Sequence, residues 1–117
     1  VQRLSLGDGF PTPSPNTLDQ AINQLMVVGT DHLLLIDGLA LGSFGERAED
    51  LSKRHPYIAL VHHPLAKESG LTTQQAKALF ESEKPTLDHA SCVVVTSPTT
   101  ADTLVTEYKV PVKTSML

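Results

Sequence analysis

Three dipeptides that carry polar groups, Asp37-Gly38, His62-His63 and Thr96-Ser97, each follow directly on a short apolar run, at residues 33–36, 58–61 and 93–95. If those runs are neighbouring parallel strands, all three pairs emerge on one rim. A carboxylate, an imidazole and two hydroxyls would then line a single polar cleft, suited to hydrogen-bonding a small ligand. Strand ends also collect polar residues as turn formers and helix caps, so position alone leaves both readings open for Thr96 and Ser97.

The histidine pair carries more information. Neighbours on an extended chain point to opposite faces, so one of His62 and His63 is expected to meet a ligand while the other packs or hydrogen-bonds elsewhere. Adjacent histidines are also a poor metal pair, since one ion is held more readily from i, i+4 positions on a helix or from separate elements. No metal is expected. Glu68, in the loop that follows, could accept a bond from a ligand hydroxyl or be a solvated loop charge. Glu83 lies on the apolar stripe of a helix, either at its margin or aimed at the cleft. His32, His55 and His89 read as structural, and Cys92 as a small buried hydrophobe with nothing nearby in sequence to stabilise a thiolate. Gly38, Gly42 and Gly45 fit neither G-x-G-x-x-G nor a P-loop; they read as a loop that needs positive φ or close packing.

The elements that would position these groups alternate in type. Residues 2–6 have strand-like alternation ended by Gly7-Asp8-Gly9, and Pro11, Pro13 and Pro15 then hold an extended loop. Asn16 is a candidate N-cap for a helix whose Leu18, Ile22, Leu25 and Met26 form one apolar stripe, with Gly29 as its stop. The runs at 33–36, 58–61 and 93–95 are apolar on both sides, as in a parallel sheet covered on both faces. Between them, residues 41–54 are predicted helical over their second half, with Ala48 and Leu51 inward and His55-Pro56 as the end. Thr72 and Gln75 form a capping box for the next helix, which Pro85 is expected to kink or break near Lys84. Thr99 is a candidate cap for a last helix with Leu104, Val105 and Tyr108 inward, and residues 110–116 a candidate final strand. The alternation predicts an α/β fold: a doubly wound, Rossmann-like parallel sheet with helices on both faces.

Composition narrows the function classes. The 117 residues, 40% hydrophobic and 19% charged, suit one globular domain. A net charge of -4, with nine Lys and Arg spread along the chain instead of lining one face, disfavours nucleic acid as a partner. No apolar run approaches the ~20 residues of a membrane-spanning helix, no signal peptide is recognised, and the lone Cys92 fits a reducing compartment, so a cytoplasmic location is expected. No G-x-S-x-G elbow is present, which argues against a common class of hydrolase.

Three blocks together resemble a known family. They are Asp37-Gly38-Leu39-Ala40-Leu41-Gly42; Ile58-Ala59-Leu60-Val61-His62-His63-Pro64-Leu65 with Glu68 and Gly70-Leu71; and Val93-Val94-Val95-Thr96-Ser97 with Thr100-Ala101 and Leu104. Their order and spacing, over residues 6–114, resemble group 1 glycosyltransferases of family four, which have the two-Rossmann-domain GT-B architecture. The resemblance implies transfer of a sugar from a nucleotide-sugar donor to an acceptor, with retention of configuration and without a metal or other cofactor. It implies that residues 1–117 are a partial, acceptor-side N-terminal domain. The donor-binding C-terminal domain and the first glycine-rich loop of the family are missing from this sequence, so the fragment alone is expected to be inactive. His62 is the better match to the family's cleft histidine and His63 the second. Ser97 matches a position lining the same cleft, and Pro85 departs from the usual helix. The competing reading is a noncatalytic α/β module that binds a small ligand or a protein at the same rim. An unpaired sheet edge would also leave self-association open.

Overall fold

The computed structural model describes residues 4–114. Its first helix, α1 (Pro15–Met26), begins where Ser14 accepts a bond from the Thr17 N–H and Pro15 occupies the first helical position. Proline is well placed there, because its missing N–H has no partner to lose. Ser14, not Asn16, is therefore the cap. Ala21, Ile22 and Leu25 turn inward, and the helix ends at Met26, before Gly29 is reached. The strand expected at residues 2–6 does not form over Leu4, Ser5 and Leu6, and Gln2 lies outside the described residues. Leu4 stays exposed and pairs with no neighbouring strand, so alternation alone has no ladder to join.

Four strands follow, β1 (Leu34–Asp37), β2 (Tyr57–Val61), β3 (Cys92–Val95) and the two-residue β4 (Lys113–Thr114). All are parallel and lie in sequence order. Leu34 pairs with Tyr57 and Asp37 with Leu60, while Ile58 pairs with Cys92 and Val61 with Val95. The connections contain α2 (Gly38–Leu41), α3 (Arg47–Arg54), α4 (Thr73–Asp88) and α5 (Pro98–Thr106), and a 3-10 turn spans Leu65–Lys67. Residue 116, expected to extend the last strand, lies outside the described residues.

The α/β class and parallel sheet hold, but the covering of the sheet differs from expectation. Burial alternates along every main strand: Leu34 and Ile36, then Tyr57, Ala59 and Val61, then Val93 and Val95 are buried. Their alternate neighbours face outward, with Leu35 60% exposed and Ile58, Leu60, Cys92 and Val94 half-buried. Strands laid down in order by right-handed crossovers put their helices on one side. That side holds one continuous core, in which Ile22, Leu51, Val61, Val95 and Leu104 belong to the same cluster. The described helices thus cover one face, and Cys92 sits on the other. Strand order does not reverse among the described strands, so the array corresponds to one half of a doubly wound sheet.

Helix α4 also departs from expectation. Its capping box forms, with Gln75 N–H donating to Thr72 and the Gln75 side chain accepting from the Thr72 N–H. It then runs through Pro85 without ending. Both sides of the proline are anchored: Glu83, Thr86 and Leu87 are buried, the Thr86 hydroxyl donates to the Glu83 carbonyl at 2.6 Å, and Tyr57 donates to the Thr86 carbonyl at 2.6 Å. Burial and tertiary bonds outweigh the roughly 3 kcal/mol that an interior proline costs. In α5 the cap is Ser97, accepting from the Thr100 N–H ahead of Pro98, where Thr99 was expected. Leu104 and Tyr108 are buried as predicted, whereas Val105 is 49% exposed.

Candidate functional site

Parallel pairing brings the carboxyl ends of β1, β2 and β3 to one rim, and a cavity of about 240 Å³ opens there, lined by Asp37, Gly38, Leu39, His62, His63, Leu65 and Glu68. Asp37 ends β1 and caps the single turn of α2, accepting from the Leu39 N–H at 3.3 Å. Gly38 lies so close to β2 that a Cβ would meet the Leu60 carbonyl oxygen at 3.0 Å, and a Cβ on Gly42 would collide with the Leu65 side chain. These two glycines let α2 settle against β2 and keep the cavity floor low. Gly45 takes φ +58, the left-handed region that favours glycine. Close packing and positive φ thus account for the glycine spacing.

His62 and His63 both border the cavity, and their rings meet different partners. Strand β2 ends at Val61 and the two histidines lie in a bend, where the twofold alternation of a strand no longer applies. The His62 Nδ1 lies 3.5 Å from the Thr96 hydroxyl, a long contact that links the ends of β2 and β3. Either group can be the donor in that contact, and the tautomer it selects decides whether the His62 Nε2 donates or accepts. Across the cavity, His63 Nε2 approaches the Glu68 carboxylate at 4.0 Å. That pair is exposed and contributes little to stability, yet it orients an acceptor and a donor side by side.

Thr96 thus reaches the site through His62, while Ser97 does not line the cavity. The Ser97 hydroxyl is used in capping: it donates to the Thr100 hydroxyl at 3.0 Å and accepts the Thr100 N–H at 3.2 Å. Thr100 in turn donates to the His62 carbonyl at 3.2 Å, so the start of α5 braces the backbone that carries the histidines.

Beneath the rim lies Glu83, whose place between margin and cleft was open from sequence. It is 1% exposed, and its Oε1 accepts from the Leu65 N–H at 3.0 Å and from the Tyr108 hydroxyl at 2.8 Å. Its Oε2 has no hydrogen-bond partner. Burial raises its pKa to about 7, although the Tyr108 hydroxyl, the Leu65 N–H and nearby His63 pull it back. Burial, reinforced by the Glu83 charge, also raises Tyr108. Glu83 ties the segment just after His62-His63 to α4 and to the end of α5. Its sequence signal was the helical spacing of Phe80, Glu83 and Leu87, which places a carboxylate on an inward stripe.

The remaining histidines play structural or surface roles: His55 is buried with Nε2 3.0 Å from the Gly29 carbonyl, and His32 and His89 are exposed. Among the described residues no group of three or more His, Cys, Asp or Glu side chains is placed to hold a metal ion. No helix among them is long and apolar enough to cross a membrane. No protein family, curated protein or solved structure matches the chain.

Proposed function

We propose that this chain is the acceptor-side part of a retaining glycosyltransferase, which moves a sugar from a nucleotide-sugar donor to an acceptor, and that the rim cavity holds sugar or acceptor hydroxyls. The observation that carries this reading is the convergence of two carboxylates, Asp37 and Glu68, and two imidazoles, His62 and His63, on one cavity beyond parallel strand ends. Carboxylates accept from hydroxyls and imidazole can donate or accept, so the set matches an uncharged polyhydroxyl ligand. The motif blocks that resemble family-four glycosyltransferases fall on these same residues.

In such a transfer the bond from the anomeric carbon to the diphosphate oxygen breaks, a bond to the acceptor oxygen forms, and the acceptor hydroxyl passes its proton to the departing diphosphate. The charge left on the diphosphate requires preorganised donors or cations. Among the described residues neither Lys nor Arg lines the rim cavity, in keeping with an acceptor-side part whose diphosphate would be held by the donor-binding domain the family resemblance implies. His62 positions the sugar or acceptor by hydrogen bonds from its ring. The reading also places the protein in the cytoplasm, where nucleotide sugars are the donors.

The test is sugar transfer by the gene product as the cell makes it. His62→Ala is expected to lower turnover by about 100-fold or more while leaving the thermal midpoint in place. Unchanged transfer by that variant discards the role. The same uncharged-ligand lining fits a second reading, a noncatalytic module that binds a small hydroxylated ligand. Tight binding without transfer across a panel of nucleotide sugars would select it.

A further inference from the structure

A second cavity, of about 680 Å³, runs alongside the rim and shares Leu39, Leu65 and Glu68 with it. Its apolar walls are Pro11 and Pro13 from the loop before α1, Leu18 of α1, Leu39 of α2, Leu71 and Leu79. Of the neutral polar side chains along it, Thr12 aside, each has a hydroxyl or carbonyl already engaged. Ser43 donates to the Ala40 carbonyl at 2.7 Å, Ser82 to the Gly42 carbonyl at 2.6 Å, and the Gln75 side chain accepts the Thr72 N–H at 2.9 Å. The single charge in the lining, Glu68, stands at the shared end. Leu39 is 49% exposed at that junction, a leucine left half in water. The rim cavity alone falls below the roughly 300–1,000 Å³ of ordinary small-molecule sites, whereas the groove falls within it.

We infer that the groove seats the apolar tail of an amphiphilic ligand whose uncharged, hydroxyl-bearing end occupies the rim cavity. This rests on the sugar-binding reading of the rim and specifies the acceptor: a glycoside or polyol attached to a hydrocarbon. Charge settles the head. Asp37 in the rim cavity and Glu68 at the junction repel a phosphate or carboxylate, and the groove walls beyond them are mostly apolar. Length settles the tail, because every methylene moved from water onto Leu39, Leu71 and Leu79 favours binding, whereas a bare sugar leaves those side chains wet.

The experiment is titration of the ¹⁵N-labelled protein with methyl, hexyl and octyl β-glucoside below their aggregation concentrations, followed by amide shifts. Affinity is expected to rise by roughly tenfold or more from methyl to octyl, with shifts at Leu39, Leu71 and Leu79 appearing only for the longer tails. Leu79→Asp should flatten the series, and Leu39→Ser, at an exposed position where folding is not at stake, should reduce its slope. Equal affinity for all three glucosides overturns the inference, as do tail-dependent shifts confined to Leu33 and Leu35 on the open sheet face. His62→Ala is measured on the same series: methyl glucoside binding unaltered by it would remove the sugar reading of the rim, while the slope with tail length still decides the groove.

Discussion

Glu83 combines burial, two hydrogen bonds to Oε1 and an unpartnered Oε2. With its pKa raised from 4.5 to about 7, the folded protein holds this proton more tightly than the unfolded chain does. The stability it contributes is therefore complete below about pH 4.5, and it is lost as pH rises through about 7. The loss amounts to roughly 3 kcal/mol if the whole shift is realised. Glu83→Gln keeps an acceptor for Leu65 and Tyr108 but cannot ionise. Urea unfolding at pH 4, 6 and 8 is expected to show the difference between wild type and variant moving in favour of the variant with rising pH. A constant difference would mean that Glu83 titrates normally. The same carboxylate holds the Leu65 N–H, so its ionisation bears on the segment that follows His62 and His63.

Among the elements, the helix starts set the rim. Ser97 opens α5, and Thr100 in its first turn reaches the His62 carbonyl. Ser97→Ala should cost about 1 kcal/mol of stability, as the loss of an N-cap does, and Ser97→Gly only a few tenths. Denaturant midpoints of the two variants check this order; equal losses would show that the hydroxyl does more than cap. Much of this scale was readable beforehand. Three strands within a residue or two of the apolar runs at 33–36, 58–61 and 93–95, the Thr72-Gln75 box, and the shared rim expected of Asp37-Gly38, His62-His63 and Thr96-Ser97 follow from apolar runs and turn residues, although Ser97 caps α5 instead of lining the cavity. The two serine caps were missed, although Ser14-Pro15 and Ser97-Pro98 carry the signal of proline in the first helical position. Pro85 misled because local propensity cannot register the buried bonds of Thr86 and Tyr57 that carry α4 past it. A bend after Val61 carries His62 and His63, so the alternation that holds within the strand does not extend to them.

For the molecule as a whole, the decisive feature is a parallel sheet packed on one side. Short apolar runs look the same in sequence whether a strand is covered on one face or both, which is why Leu35, Ile58 and Val94 read as core. The two faces should answer differently to mutation. Ile36→Ala, beneath the helices, is expected to cost about 2–5 kcal/mol, whereas Leu35→Ser, one residue away, should stay within about 0.5 kcal/mol. Chemical denaturation of both variants decides it, and comparable losses would place a cover over the open face. That bare side, with Leu33 74% and Leu35 60% exposed, also governs how the chain meets concentrated electrolyte. Sulfate and its like are excluded from surfaces and strengthen every contact between oily groups, so salting-out begins at the uncovered strands while the helical flank remains hydrated.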